Sequence, residues 1–211
     1  CETQADGVRI LQPTESRTGI QKEMTIALSP SVAQVRVVHR LWNRNLWPVD
    51  LAAWALTVMP PGGTAIIPLP PRISYPEGLL PSSRLVLWPY TDPTDPRWRW
   101  GRRYIFLRQD PARSSPQKLG ADVPDGWVAY VRDGRLFLKT YGHVAGATYP
   151  DLGSTVEVFT DARMLELETL SPIVRVEPGG AVEHVERWRL WRDVATPQDD
   201  DDVDRHILPR L

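Results

Sequence analysis

One cysteine, Cys1, gives the 211-residue chain no partner for an intrachain disulfide, which leaves both reducing and oxidising compartments open. Long apolar runs are missing as well. None approaches the roughly 20 residues that a helix needs to cross a bilayer, so no transmembrane segment is expected. The signatures of common cofactor and hydrolase chemistries are also lacking: no glycine-rich phosphate loop after a strand, no GxSxG elbow, no HExxH helix and no zinc-spaced cysteine pair. The four histidines, His39, His143, His184 and His206, stand too far apart to suggest a metal set by spacing. No cofactor and no metal are therefore expected. Charge of one sign is not in excess either. Lys plus Arg number 25 against 26 Asp plus Glu, a formal net charge of -1, and that balance offers nucleic acid no long-range attraction. No methionine precedes Cys1; a bare cut end is the preferred reading over a lipid-bearing terminus left by signal cleavage, with the cytoplasm or periplasm as location.

What the chain has in plenty is punctuation. Its 14 glycines and 21 prolines cut it into short segments, which excludes a long, well-patterned helix. MTIALS at Met24 to Ser29 alternates, and VAQVRVVHRLWN sets Val35, Val37 and His39 on one face and Arg36, Val38 and Arg40 on the other. LWPVDLAAWALTVM suits a buried strand interrupted near Pro48. WVAYVRDGRLFLKTY reads as two strands joined by the tight-turn dipeptide Asp133-Gly134. STVEVFT and MLELETL alternate about a turn near Asp161, and IVRVEPGGAVEHVERWRLW reads as a hairpin about Pro178, Gly179 and Gly180. Segments of this kind predict an all-β, antiparallel sandwich or barrel-like fold, with residues 1–194 as a single domain. From residue 195 the sequence TPQDDDDVDRHILPRL loses alternation and reads as an acidic, solvated C-terminal tail, in which HILPRL could dock on a neighbour; its aspartates lack the turn glycine of a calcium loop.

Nine tryptophans are the most distinctive excess. Most are expected to fill the space between sheets. Trp98 and Trp100 differ because they sit in the polar stretch RWRWGRR. There the rings could cover the apolar faces of a sugar while Arg102 or Arg103 binds a hydroxyl or carboxylate. The same pattern also fits arginines stacked on tryptophans to hold a long loop. Carboxylates are the other candidates. Glu166 and Glu168 lie two positions apart on a strand and share one face, with Leu165, Leu167 and Thr169 on the other. Lining a cavity, such a pair would keep one proton and suit acid–base work; on an open face both would simply be solvated. Asp151 and Glu157 are further candidates, although Asp151 after Pro150 also fits a turn cap, and Lys139 or Arg175 could neutralise the group.

The blocks QPTESRTGIQKEMTIAL, HRLWNRNLWPVDLAAWALTVMPPGGTAIIPLPPR, LVLWPYTDPTDPRWRWGRRYI, GATYPDLGSTVEVFT and LELETLSPIVRVEPGGAVEHVERWRL resemble those of the bacterial domain-of-unknown-function family numbered 4380. That resemblance implies a fold similar to the galactose mutarotase-like supersandwich. The chain would be its later and larger part, with the first strands absent or supplied by another chain. A more distant resemblance to aldose mutarotases concerns two places. PVDLAAW, Pro48 to Trp54, is similar to the strand that carries a catalytic histidine in those enzymes, but here that position holds Trp54, whose indole is no general acid. LET, Leu167 to Thr169, is similar to the segment that carries their catalytic base, which implies that role for Glu168.

Three readings follow. In the leading one the domain binds a carbohydrate or related polyhydroxylated molecule: Glu168 accepts from hydroxyls, Arg102 or Arg103 orients a polar group, and Trp54, Trp98 or Trp100 stacks on the ring, with Glu166 and Asp151 as further contacts. In the second it is a sugar epimerase, mutarotase or related enzyme with Glu168 as base and His39, His143 or an arginine in the missing role. In the third it is structural, an exposed strand edge pairing with a second copy or another polypeptide that supplies the missing strands.

Overall fold

A computed structural model describes residues 1–211. The expected segments become seventeen strands: β1 Glu2–Gln4, β2 Gly7–Leu11, β3 Ile20–Leu28, β4 Gln34–Asn43, β5 Val49–Leu51, β6 Trp54–Met59, β7 Thr64–Pro68, β8 Leu85–Leu87, β9 Trp98–Trp100, β10 Tyr104–Arg108, β11 Gln117–Ala121, β12 Trp127–Arg132, β13 Arg135–Tyr141, β14 Val156–Thr160, β15 Leu165–Leu170, β16 Val174–Val176 and β17 Ala181–Arg192. One short helix, α1 Asp200–His206, follows. A ten-stranded sheet runs in the order β1-β2-β3-β4-β17-β13-β12-β7-β10-β9, a five-stranded sheet in the order β6-β15-β14-β11-β8, and β5 pairs with β16. All pairings are antiparallel. The all-β antiparallel supersandwich expected from the sequence is the fold.

Alternation explains how the two large sheets meet. Leu119, Ala121, Val156, Val158, Leu165 and Leu167 of the small sheet pack against Ala65, Ile67, Ile105, Leu107, Val128 and Tyr130 of the large one. On the opposite side of the large sheet, Ile66, Phe106, Ala129, Val131, Leu136 and Leu138 form a second apolar cluster with Val194, Val203 and Ile207. Strands β7, β10 and β12 are therefore covered on both faces, which is why TAIIP, YIFLR and WVAYVR read as nearly continuous apolar runs.

The lid of that second cluster is the segment read from sequence as a solvated tail. Asp199 caps α1 by accepting from Asp202 N at 2.9 Å, and Val203 is fully buried. The run of aspartates is spent on the RWRWGRR loop. Asp200 accepts from the backbone N–H groups of Arg102 (2.8 Å) and Arg103 (3.0 Å), and the Arg103 guanidinium reaches Asp201 (2.6 Å) and Asp204 (3.1 Å). Tyr104 donates to Asp204 at 2.7 Å. A basic loop in mid-chain and an acidic C-terminal segment thus become one interlocked contact.

The Asp133-Gly134 hairpin forms as expected, with φ of 50° and 70° and Arg132 opposite Arg135. The hairpin about Pro178 to Gly180 does not form. The turn is present, Gly180 N donating to Glu177 O at 2.9 Å, but β16 pairs with β5 and β17 pairs with β4 and β13. Asn43 diverts the chain: its Nδ2 donates to Val176 O (2.9 Å) and Trp47 O (2.8 Å), drawing β16 toward β5.

The sandwich interior also holds a polar seam. Lys139, fully buried, donates to Ala55 O (3.0 Å) and Leu167 O (3.1 Å), which ties the two sheets together, and its ammonium forms an ion pair with Glu186 Oε1 at 2.6 Å. Glu186 also accepts from Trp188 Nε1 (3.0 Å), from the Thr169 hydroxyl and from His39 Nε2 (3.2 Å). Burial opposes its charge, but Lys139 and these donors hold its carboxyl down at about 2. Burial pushes the neighbouring His184 down to about 4.

A candidate ligand face on the outer side of the small sheet

On β15 the Asp161 side chain starts the strand by accepting from Arg163 N (2.7 Å) and Met164 N (3.2 Å). From that start Leu165, Leu167 and Thr169 point inward, and Glu166 and Glu168 point outward, as the alternation requires. The outer face of the small sheet then collects Trp54, Leu56 and Val58 from β6, Glu166 and Glu168 from β15, Glu157 from β14 and Lys118 from β11. Gly120 beside Lys118 is a spacing device: a Cβ there would lie 2.2 Å from Ser154 Oγ and 3.4 Å from the Trp88 ring. Its absence lets Trp88 close over the sheet.

Glu168 is fully buried at the centre. It accepts from Trp54 Nε1 at 2.7 Å and from Lys118 Nζ at 3.0 and 3.2 Å. Lys118 is held between two indoles, 4.9 Å from the Trp54 ring centre and 4.8 Å from that of Trp88. Burial works against its ammonium, but Glu157 and Glu168 outweigh it and keep the Lys118 pKa above the ordinary lysine value. Trp54 remains 53% exposed although its N–H is tied down. The result is a rigid aromatic plate facing solvent.

Glu157 sits directly across from Glu168 and is equally buried. Lys118 Nζ lies 2.8 Å from its Oε2, yet neither oxygen has an aligned hydrogen bond. The contact is therefore a close ion-pair approach off the hydrogen-bonding direction. Burial drives the Glu157 pKa up to about 8 against the pull of Lys118, and the nearby Asp151 and Glu168 carboxyls push the same way. An un-ionised carboxyl is what such a poorly solvated position favours. Glu166, half-buried, is also raised, first by burial and then by Glu168. Tyr90, exposed at the rim, is raised by burial and by the same carboxyls.

Glu157 predicts a measurable pH dependence. Between about 4.5 and 8 the folded state holds a proton on Glu157 that the unfolded state has lost, so folding stability falls as pH rises through that window. His184 acts oppositely between about 4 and 6.5, where only the unfolded chain is protonated. The two slopes oppose each other from about 4.5 to 6.5, and above 6.5 that of Glu157 acts without the counterweight of His184. Urea midpoints should decline more steeply from pH 6.5 to 8 than from 4.5 to 6.5, and Glu157→Gln should flatten the upper decline.

Of the residues singled out in sequence, Trp54, Glu166 and Glu168 meet here, with Asp151 beside Glu157. Asp151 adopts φ 47° in the turn that precedes β14. Trp98 lies elsewhere, inside the sandwich, donating to Gln117 Oε1 at 3.0 Å. Trp100, Arg102 and Arg103 line a separate cleft of about 900 Å³ with Arg72, Arg99 and residues 198–201, to which no side chain of the Glu168 cluster contributes. His39 belongs to the inner seam, across β15 from Glu168, and His143 binds Asp122 at 3.0 Å. Neither stands ready to serve Glu168. Lys139 and Arg175 are not its counter-ions either: Lys139 serves Glu186, and Arg175 lies 3.5 Å from Glu177. Sequence reasoning missed Lys118, Trp88 and Tyr90. The available signal was QKLGA, in which inward Leu119 and Ala121 set Lys118 and Gly120 outward. No group of three or more His, Cys, Asp or Glu side chains is placed to hold a metal ion, and no helix is long and apolar enough to cross a membrane.

Neither a protein-family model nor a curated protein matches the chain, so the resemblance to domain-of-unknown-function family 4380 gains no support. Solved structures do match. A galactose mutarotase-like protein from Lactobacillus casei superposes with a TM-score of 0.58 at 9% identity, over 90% of this chain and 72% of that one. A candidate aldose 1-epimerase from Klebsiella pneumoniae gives 0.57 at 9% identity, over 93% of this chain and 51% of that one. Another from Escherichia coli K12 gives 0.54 at 11% identity, over 91% and 67%. The chain spans about half the length of the Klebsiella protein. At these identities the likeness establishes a fold related to galactose mutarotase-like supersandwiches.

Proposed function

We propose that the chain binds a carbohydrate or related polyhydroxylated molecule on the outer face of its small sheet. The observation that carries this reading is the Trp54 ring, exposed over half its surface yet fixed by a 2.7 Å bond to the buried Glu168. An immobilised indole offers a flat apolar surface to the C–H face of a sugar at little entropic cost. Around it stand groups suited to hydroxyls: the half-buried Glu166 and the Tyr90 hydroxyl. Glu168 acts in this reading through Trp54 and Lys118, as the residue that sets their positions. Trp100, Arg102 and Arg103 belong to a different cleft and have no part in it.

One observation favours an enzymatic second reading. Glu157 and Glu168 face each other under one lysine, and Glu157 keeps its proton to about pH 8. A carboxyl acid beside a lysine-bound carboxylate is the kind of pair that moves protons on a sugar hydroxyl. Glu168, rather than a histidine partner, would be the base in that case, once Lys118 and Trp54 yield one of its oxygens.

Calorimetric titration with a panel of neutral and acidic monosaccharides tests the binding reading. Trp54→Ala should weaken the best ligand by about tenfold or more, the loss of one stacking contact and its fixed geometry. Glu168→Gln should weaken it less, while retaining the fold. Unchanged affinity in Trp54→Ala would remove the reading.

A further inference from the structure

Three carboxylates in this fold are built alike. Glu168 takes the indole N–H of Trp54 and the ammonium of Lys118, and Glu186 takes the indole N–H of Trp188 and the ammonium of Lys139. Glu23 takes the indole N–H of Trp42 at 2.9 Å and two arginines, Arg9 and Arg40. The shared arrangement is a way to bury a carboxylate with its lone pairs satisfied. Glu186 alone adds a histidine.

Proton counting fixes how that histidine is presented. Glu186 has its carboxyl held down at about 2 and so accepts only; the 3.2 Å contact from His39 Nε2 must then be a donated N–H. In the neutral ring the other nitrogen, Nδ1, keeps a free lone pair. It has no protein partner and is not enclosed, and the His39 side chain is 16% exposed. The same counting applies to His184. Thr169 spends its hydroxyl proton on Glu186, so its oxygen accepts from His184 Nε2 at 2.8 Å.

The surroundings of Nδ1 are also open by construction. The ten-stranded sheet is wider than the five-stranded one, and β1 to β4 contribute nothing to the cluster between the sheets. On the inner face of that overhang, Met24, Ile26, Val35 and Leu41 are only half-buried around His39, with Met24 its neighbour across the strand pair. The Trp188 ring, likewise half-buried, flanks them with its N–H fixed by the same Glu186 oxygen that holds His39. This reproduces, on the other side of β15, the combination of a pinned indole and a polar group that marks the Glu168 face.

We infer that the overhang of the large sheet is a second site for a sugar or polyol, in which His39 Nδ1 accepts a ligand hydroxyl and Trp188 lies against the carbon skeleton. Glu186 is the positioning residue: it fixes the tautomer that leaves Nδ1 free and holds the indole in place. The site is independent of the Glu168 face, since β15 separates the two.

NMR on the full chain, uniformly labelled with nitrogen-15 and carrying carbon-13 in its methionine methyls, with D-glucose, D-galactose and D-glucuronate as probes, reads both sites in one sample. In the free protein His39 should be protonated at Nε2 and unprotonated at Nδ1, and Glu186→Gln should abolish that tautomer preference. One probe or more should shift Nδ1 of His39 and the methyl of Met24, and His39→Gln should erase the Met24 response while the backbone spectrum stays native. A His39 ring protonated at Nδ1, or Nδ1 and Met24 signals unmoved by every probe, overturns the inference. The Trp54 indole signal reports the other face separately. If it stays silent while His39 responds, the proposed ligand face on the small sheet fails and this site stands.

Discussion

Replacing Glu186 by alanine should lower the folding free energy by about 3–5 kcal/mol, the usual consequence of stripping one partner from a buried ion pair. Lys139 would keep its bonds to Ala55 O and Leu167 O but lose the carboxylate 2.6 Å away. Burial already pushes the Lys139 pKa down, and Glu186 is the largest influence opposing it. Without Glu186 the ammonium should give up its proton in the folded state. The Thr169 hydroxyl, Trp188 Nε1 and His39 Nε2 would lose their common acceptor at the same time. A double replacement, Lys139→Met with Glu186→Leu, should recover most of the lost stability, because the apolar pair asks for no solvation. Urea denaturation of the three proteins measures the sequence of effects. A single Glu186→Ala variant with an unchanged midpoint would mean that the seam does not tie the sheets.

Lys118→Met should be the second large effect, with a pH signature of its own. It leaves Glu157 and Glu168 facing each other across β14 and β15 without the cation that lies 2.8 and 3.0 Å from them. Both carboxyls must then be raised in the folded state, by burial and by each other. A raised carboxyl contributes stability that disappears as pH climbs from the unfolded value through the folded one. The variant should therefore resemble the wild type near pH 4.5 and fall progressively behind it, by about 3–5 kcal/mol at pH 8. A deficit of the same size at both pH values would point to lost packing between Trp54 and Trp88 rather than to charge. Ligand affinity should fall as well, since the two indoles lose the group that spaces them.

The strand frame was open to reading wherever one physical rule acted alone. Asp133-Gly134 declares its hairpin because few dipeptides accept two consecutive positive φ values. Glu166 and Glu168 had to share a face because a strand repeats every two residues. The same rule separates His39 from Glu168, but only once it is known which sheet each strand joins. That is long-range information. Nothing local in IVRVEPGGAVEHV says that Asn43, 133 residues before Val176, will pull β16 toward β5. The aspartates of α1 and the arginines of RWRWGRR each read as solvated or ligand-binding because their partner lies about 98 positions away. Lys118 was hidden for a related reason: a single lysine in an apolar strand carries no sign of the two glutamates it will meet. Trp54 was legible as a departure from a catalytic position, while its bond to Glu168 needed β6 and β15 side by side.

The most direct test of the proposed ligand face is the indole N–H signal of Trp54, followed by NMR while neutral and acidic monosaccharides are added to the full chain. At least one sugar should shift that signal in a saturable way, with the Trp88 indole moving alongside it and the interior Trp98 indole still. Silence of Trp54 and Trp88 across the panel, or saturable shifts confined to Trp100 and its arginine-lined cleft, would contradict the account.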